Sequence, residues 1–159
     1  MAYGLGLTAS MTEIGFYHLQ RTPLEKALPR LLAKALDAGM RAVVVAGSNE
    51  RVEALDAALW TFDQGSFLPH GAAAAGNADQ QPVFLTTAEE NPNGATVLVC
   101  TDGVEPAFVD HFQRCLDLFD GNDEAAVAAA RARWRRLKDA GHELTYWQQT
   151  SRGGWEKKA

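Results

Sequence analysis

One segment of the chain combines side chains that bind anions with a side chain that binds flat apolar groups. Residues 131–141 have the sequence RARWRRLKDAG, which surrounds the indole of Trp134 with five cations. Guanidinium groups form paired hydrogen bonds with carboxylates, while an indole provides a flat surface for an aromatic or proline ring. The whole chain of 159 residues carries a net charge of -5, so this segment is a local exception in an acidic protein.

The spacing of these residues places four of them on one side of a helix. At about 100° per residue, Arg131, Arg135 and Lys138 fall within about 60° of one another. Trp134 lies beside them, at the border with an apolar stripe that includes Ala130. We call Arg131, Trp134, Arg135 and Lys138 the basic ridge. It suits an acidic peptide with an apolar anchor or a free terminal carboxylate, and the alternative is a solvated helix face with cations near a helix C-terminus.

Composition and charge narrow the class of protein. A hydrophobic content of 47% and a charged content of 22% are ordinary for one globular domain. No apolar run reaches the roughly 18–20 residues of a membrane span, and the start of the chain lacks a signal-peptide pattern, so we expect a cytoplasmic protein. Cys100 and Cys115 lie in apolar surroundings and are predicted to be buried and reduced. The negative net charge argues against broad affinity for duplex DNA.

Motifs for catalysis, cofactors and metals are missing from the sequence. The segment VVVAGSNE, residues 43–50, has the strand–glycine–helix context of a phosphate site, but neither GxxxxGK(S/T) nor GxGxxG occurs. The four histidines are scattered without metal-ligand spacing, and no GxSxG occurs. We therefore predict no catalytic residue, no metal and no cofactor. The alternatives are a nucleotide-binding or enzymatic α/β protein, and a protein that binds single-stranded nucleic acid directly through the basic helix.

Hydrophobic periodicity predicts strands that alternate with helices. The predicted strands cover Glu13–Leu19, Arg41–Gly47, 82–87, 95–101, 115–119 and 142–148. The predicted helices begin at Leu24 (capped by Thr22), at Asn49 (capped by Ser48) and after the cap Asp123, and a short helix is expected at 106–111. This order predicts a three-layer α/β fold, in which a mainly parallel sheet carries helices on both faces, nucleotide-binding-like but lacking the P-loop.

The chain is predicted to form a single domain with short extensions. We expect residues 1–10 to be a disordered leader or tag, residues 11–148 to form the α/β domain and residues 149–159 to be a frayed tail. The stretch 63–81 is predicted to be a long loop. An aromatic patch lies at its start, formed by Trp60, Phe62, Phe67, Leu68 and Pro69. These side chains either pack back onto the core or dock a partner protein.

Four segments together resemble the chi subunit family of bacterial DNA polymerase III holoenzyme. They are FYHL at 16–19, RAVVVAG at 41–47, LDAALWTFDQGSFLPH at 55–70 and RARWRRLKDAGHEL at 131–144. The resemblance extends from Met11 to Trp147, in order and with similar spacing. It implies an α/β fold related to nucleotide-binding domains and a non-catalytic adaptor without a cofactor.

The resemblance also implies partners and contact residues. Members of the family connect the clamp loader, through its psi subunit, to the acidic C-terminal tail of single-stranded DNA-binding protein, which ends in an apolar, proline-containing segment. Arg131 matches the family's tail-binding arginine, while Trp134 and Arg135 stand where a tyrosine and a lysine are common. The positions associated with the psi interface are Trp60, Phe67 and Pro69, and a helicase is a further candidate partner for this patch.

Overall fold

A computed structural model of the chain describes residues 12–61, 70–72, 77–105 and 108–159. The strands are β1 (Glu13–Leu19), β2 (Ala42–Val45), β3 (His70–Ala72), β4 (Val83–Thr86), β5 (Val97–Cys100), β6 (Arg114–Asp120), β7 (Glu143–Gln149) and β8 (Trp155–Lys157). The helices are α1 (Leu24–Asp37), α2 (Asn49–Trp60) and α3 (Glu124–Asp139). The predicted leader, residues 1–10, lies outside the described residues.

The strands form one sheet of eight in the order β3-β4-β2-β5-β6-β1-β7-β8. All neighbours pair in parallel except β7 and β8, which are antiparallel. Parallel strands in this arrangement are covered on both faces, and β2 and β5 accordingly contain only buried residues. The predicted α/β class with a mainly parallel sheet is confirmed.

The two faces of the sheet support two separate cores. Along β1, Tyr17 and Leu19 face the core that α1 and α2 cover, whereas Ile14 and Phe16 face the core that α3 covers. This alternation follows the two-residue period of a strand. The basic helix α3 therefore lies on the opposite face of the sheet from α1 and α2.

Local capping explains where two helices begin. The Ser48 hydroxyl accepts a hydrogen bond from the Arg51 amide, and the Asp123 carboxylate accepts from the amides of Ala125 and Ala126, as predicted. The predicted cap at Thr22 is wrong. Pro23 occupies the N-cap position of α1 without a side-chain hydrogen bond, while the Thr22 hydroxyl accepts from Gln149.

The prediction of a frayed tail at residues 149–159 is wrong, because Gln149 fixes this segment to the domain. Its side chain is buried, and its Oε1 accepts hydrogen bonds from three consecutive amides, those of Gln20, Arg21 and Thr22. Its Nε2 donates to the Gly153 carbonyl. The chain then turns and pairs as β8 with β7. These tertiary contacts order a segment whose own sequence has little strand character.

The structure also corrects the predictions for two further segments. The predicted loop 63–81 contains β3 at His70–Ala72 and a 3-10 turn at Ala78–Gln80. The predicted short helix at 106–111 is a 3-10 turn at Val109–His111, and residues 106–107 lie outside the described residues. A three-residue strand carries too little periodicity to be recognised from sequence.

Candidate functional site

The five cations of α3 divide into two groups on opposite flanks of the helix. Arg133 points to the sheet, where its Nε and Nη2 donate to Asp117 of β6 over 2.7 and 2.9 Å. Both side chains are almost fully buried. Burial raises the pKa of Asp117, and the bonds from Arg133 oppose that shift. Arg133 is thus a structural residue whose charge is neutralised inside the protein.

Arg136 lies on the same flank as Arg133 and is also paired. Its Nε and Nη2 donate to Glu105 Oε1 over 3.0 and 2.6 Å. The pair is largely exposed, so it contributes little to stability. Nevertheless, the Glu105 carboxylate of the same chain neutralises the guanidinium of Arg136.

The other flank holds the remaining three cations of α3, which are the cations of the basic ridge, and none of them forms an ion pair with a described residue. Arg131, Arg135 and Lys138 are all exposed. Within the described ranges, no carboxylate forms an ion pair with any of the three. Since α3 is continuous from Glu124 to Asp139, its backbone fixes the spacing of these charges. Three positive groups therefore face water side by side, and no anion among the described residues neutralises them.

Trp134 lies at the border between these cations and the core. Its ring packs edge-on against Phe16 of β1, with centroids 5.4 Å apart, and against Tyr146 of β7, with centroids 5.9 Å apart. The side chain remains partly exposed. The sheet holds the indole in place, so it presents a rigid apolar surface next to the cations.

Two residues that the sequence analysis missed lie on the strand face below α3, where the charge of Arg131 acts on both. Tyr146 and His18 form a hydrogen bond of 2.5 Å between the phenol oxygen and Nδ1. Burial lowers the pKa of His18, and the positive charge of Arg131 acts in the same direction. Burial raises the pKa of Tyr146, and Arg131 opposes that shift. The signal for both residues was their alternation with Phe16 and Leu144 on the strand face below α3.

The aromatic patch is described only in part. Trp60 ends α2 with 59% of its surface exposed, and its ring contacts the imidazole of His70 at 4.8 Å between centroids. His70 Nε2 in turn lies 3.1 Å from an Asp56 carboxylate oxygen. Phe67 and Pro69, together with Phe62 and Leu68, lie outside the described residues. The role of this patch remains a prediction.

A crevice of about 760 Å3 opens at the carboxyl ends of the strands, between the loops that follow β1 and β6. The chain leaves β1 toward one face of the sheet and β6 toward the other, and open α/β sheets bind ligands at such a point. Asp102, which lines this crevice, accepts a hydrogen bond from Arg51 and another from the amide of Gly47 after β2. Glu25 takes a further bond from Arg51. The side chains of Glu25, Asp102 and Arg51 that line the crevice are therefore paired with one another.

The described part of the chain holds two cysteines and several histidines outside the basic ridge. Cys100 and Cys115 are free and buried, with sulfurs 3.8 Å apart, as predicted. Across the parts of the chain that the structure describes, no three His, Cys, Asp or Glu side chains are grouped so as to hold a metal. None of the helices in those parts is both long and apolar enough to cross a membrane.

Comparison with known proteins supplies the family. The model of the DNA polymerase III chi subunit, HolC, matches residues 11–145. A probable DNA polymerase III subunit chi from Rickettsia prowazekii is 28% identical over 109 residues, covering 69% of this chain and 66% of that protein. The DNA polymerase III subunit chi of Pseudomonas aeruginosa is 28% identical over 137 residues, covering 84% of this chain and 94% of that protein. The match includes all of α3 and the described strands β1 to β6, and the chain therefore belongs to the DNA polymerase III chi subunit family.

Proposed function

We propose that this protein is a non-catalytic adaptor of the replicative DNA polymerase III holoenzyme in the bacterial cytoplasm. It connects the clamp loader, through a psi subunit, to the acidic C-terminal tail of single-stranded DNA-binding protein. The observation that carries the proposal is that Arg131, Arg135 and Lys138 have no ion-pair partner in the described part of the chain and lie beside the partly exposed indole of Trp134. An acidic peptide with an apolar end has the complementary chemistry.

The energetics of the basic ridge fit a reversible contact. Exposed cations stay hydrated in the free protein, so a bound carboxylate gains only a modest energy from each of them. A few such contacts plus one apolar contact on Trp134 correspond to a dissociation constant of about 1 μM, or about -8 kcal/mol. Because the ion pairs are exposed, salt should weaken binding. An adaptor that links a moving polymerase to DNA coated with single-stranded DNA-binding protein must release each tail again, so it needs a reversible contact.

Calorimetry with the last ten residues of single-stranded DNA-binding protein tests the tail half of the proposal. Arg131→Glu replaces an attractive charge with a repulsive one, so affinity should fall by more than about tenfold. The wild-type protein should also bind several times more weakly when NaCl is raised from 50 to 300 mM. Unchanged affinity of Arg131→Glu for the tail peptide would show that the tail binds elsewhere.

The psi half of the proposal rests on Trp60. A large aromatic side chain with 59% of its surface exposed is the kind of group that anchors protein interfaces. It lies on α2, across the sheet from α3, so the two partners do not compete for space. Phe67 and Pro69 are proposed to complete this interface.

Co-purification with psi tests this second half. Trp60→Ala should reduce capture of psi strongly and leave tail-peptide affinity unchanged, because α2 and α3 pack on opposite faces. Arg131→Glu should show the reverse pattern and serves as the control. If Trp60→Ala captures psi as well as the wild type does, the proposed psi interface is wrong.

A further inference from the structure

We infer that a groove between α1 and the β7–β8 hairpin binds single-stranded nucleic acid, a function that does not depend on the adaptor role proposed above. The groove lies on the face of the sheet opposite α3. We call it the aromatic groove: Tyr17, Trp147 and Trp155 form its floor, and exposed cations of α1, β6 and β8 lie around them. Both indoles follow residue 145, where the match to the family model ends, so the matched segment does not contain them.

The floor of the aromatic groove is a cluster of rings that α1 leaves partly open. The ring of Tyr17 lies nearly parallel to that of Trp147, with 9° between the planes and 6.3 Å between the centroids, and meets the ring of Trp155 edge-on at 5.0 Å. Tyr17 is buried, whereas both indoles remain partly exposed. The Nε1 of Trp147 donates to the Thr145 hydroxyl, which satisfies its polar edge. Partly exposed indoles that the sheet holds in place are side chains on which unpaired bases stack.

Helix α1 supplies a row of cations along one border of the groove. Lys26, Arg30 and Lys34 follow one another at four-residue intervals, and all three are exposed. Each interval advances about 6 Å along the helix axis and about 40° around it. Glu25 marks the flank of α1 that faces α2, because it pairs with an α2 arginine, whereas Lys34 lies on the opposite flank and lines a small depression beside Tyr17. The row therefore winds away from α2 and toward the aromatic floor.

The sheet supplies two further cations. Arg114 of β6 lines the same depression as Lys34. Burial raises the pKa of Tyr17 and the charge of Glu13 adds to that shift, while the charge of Arg114 opposes it. Lys157 of β8 is exposed and lies directly opposite Trp147 in the antiparallel register, so the two side chains share a face of the hairpin. Positive charge thus borders the rings on the α1 side and on the hairpin side.

These cations are available to an anionic ligand although the whole chain has a net charge of -5. Among the residues that the structure describes, none forms an ion pair with any of them. The elements of the groove also carry the carboxylates Asp37 on α1 and Glu13 and Glu143, which lie side by side at the start of β1 and β7. Phosphates are therefore favoured along α1 and beside Lys157. Every residue of a nucleic-acid strand supplies both a phosphate and a flat base, which matches cations interleaved with aromatic rings.

Fluorescence anisotropy with a fluorescein-labelled oligothymidylate of about 15 nucleotides tests binding to the full chain. The oligonucleotide should bind at about 20 mM NaCl and several times more weakly at about 200 mM, because phosphate contacts release counterions. Arg30→Gln should weaken binding by about threefold or more, and the matched change Arg135→Gln on the basic ridge by less than about 1.5-fold. In titrations with the tail peptide the two variants should rank in the opposite order. No binding by the wild type, or a larger effect of Arg135→Gln on the oligonucleotide, would overturn the inference without affecting the adaptor proposal.

Two indoles on the same face of the sheet provide a second matched pair. Trp155→Leu should weaken oligonucleotide binding by about fivefold or more, and Trp60→Leu by less than about twofold. Circular dichroism would verify that Trp155→Leu is folded, since this ring packs against Tyr17. Equal effects of the two variants would refute the aromatic groove as the site.

Photo-crosslinking locates the strand on the wild-type protein and needs no variant. The probe is the same oligothymidylate with 5-iodouracil in place of thymine, irradiated with the full chain and mapped by mass spectrometry. We expect attachment to Trp147 or Trp155, and attachment to Trp134 or Tyr146 on the α3 face would overturn the inference. Polyglutamate of the same length should displace the oligonucleotide only weakly. Displacement as effective as that by unlabelled oligothymidylate would make the groove a site for acidic polypeptides and would contradict the inference.

Discussion

The two flanks of helix α3 carry the same residue types but differ in their ion pairing. On one flank, Arg133 and Arg136 are each held by a carboxylate of the same chain, Asp117 and Glu105. On the other flank, the cations of the basic ridge have no such partner among the described residues. The comparison shows that an arginine-rich segment has no function by composition alone. Position relative to the acidic side chains of the fold decides which cations of α3 are neutralised by this chain and which remain available for binding.

The two flanks also differ in how much their charged side chains contribute to the free energy of unfolding. The buried pair of Arg133 and Asp117 has lost its hydration, so each charge depends on the other. The exposed cations of the basic ridge keep their water and need no compensation. Substitutions on the first flank should therefore change stability, and substitutions on the second should change binding.

The largest effect is expected for Arg133→Met. It leaves the Asp117 carboxylate buried without its partner, which costs about 3–5 kcal/mol of unfolding free energy. Urea denaturation followed by circular dichroism measures this loss. The double variant Arg133→Met/Asp117→Leu removes both charges and should recover most of the stability. A single variant within about 1 kcal/mol of wild type would mean that the pair is not a structural element.

A smaller effect, on affinity, is expected at Trp134. Trp134→Tyr keeps an aromatic ring at the border of the ridge and should bind the tail peptide within about threefold of wild type. Trp134→Ser removes the apolar surface and should weaken binding by about tenfold or more. Fluorescence anisotropy with a labelled peptide measures both. Equal affinity of the two variants would show that the indole supports the core only.

Arg136→Gln should change little. Its partner Glu105 remains in water when the guanidinium is removed, so the unfolding free energy should shift by less than about 0.5 kcal/mol. Thermal denaturation at low salt is the most sensitive check. A loss comparable with that of Arg133→Met would remove the distinction between the buried and the exposed pair on this flank.

The smallest effect is expected on the pKa of His18 when the charge of Arg131 is removed. Arg131 lowers the pKa of His18 together with burial, whereas the Gly121 backbone and Asp120 act in the opposite direction. A lowered histidine pKa means that the unfolded chain binds more protons, so stability falls as the pH drops below the usual histidine pKa of about 6.5. Arg131→Gln should raise the pKa of His18 and reduce this acid sensitivity. NMR titration of the imidazole measures it, and no change would mean that Arg131 is already neutralised.

The sequence predicted what depends on neighbours along the chain. The caps Ser48 and Asp123, the extent of α3 and the strand at Glu13–Leu19 follow from local hydrogen bonding and periodicity. Helical spacing also grouped the residues of the basic ridge. That grouping needs only the 100° rotation per residue and no knowledge of the sheet.

The sequence did not predict contacts between distant segments. Asp117 lies 16 residues before Arg133, and only the crossover from β6 to α3 brings the two together. Gln149 lies more than 120 residues from the amides it binds, so its role in ordering the C-terminal strand has no local signal. Asp102, which seemed an ordinary carboxylate, occupies the Gly47 amide for the same reason. Long-range pairing therefore decided both the structural flank of α3 and the acidic partner of the Gly47 amide.

The most direct test compares one exposed arginine from each flank under the same change of charge. Arg135→Gln and Arg136→Gln both remove one positive charge from the same turn of α3. In calorimetric titrations with the tail peptide at 50 mM NaCl, Arg135→Gln should weaken binding by about fivefold or more, and Arg136→Gln by less than about twofold. Equal losses would mean that only the net charge of the helix matters, which would contradict a defined site on the ridge flank.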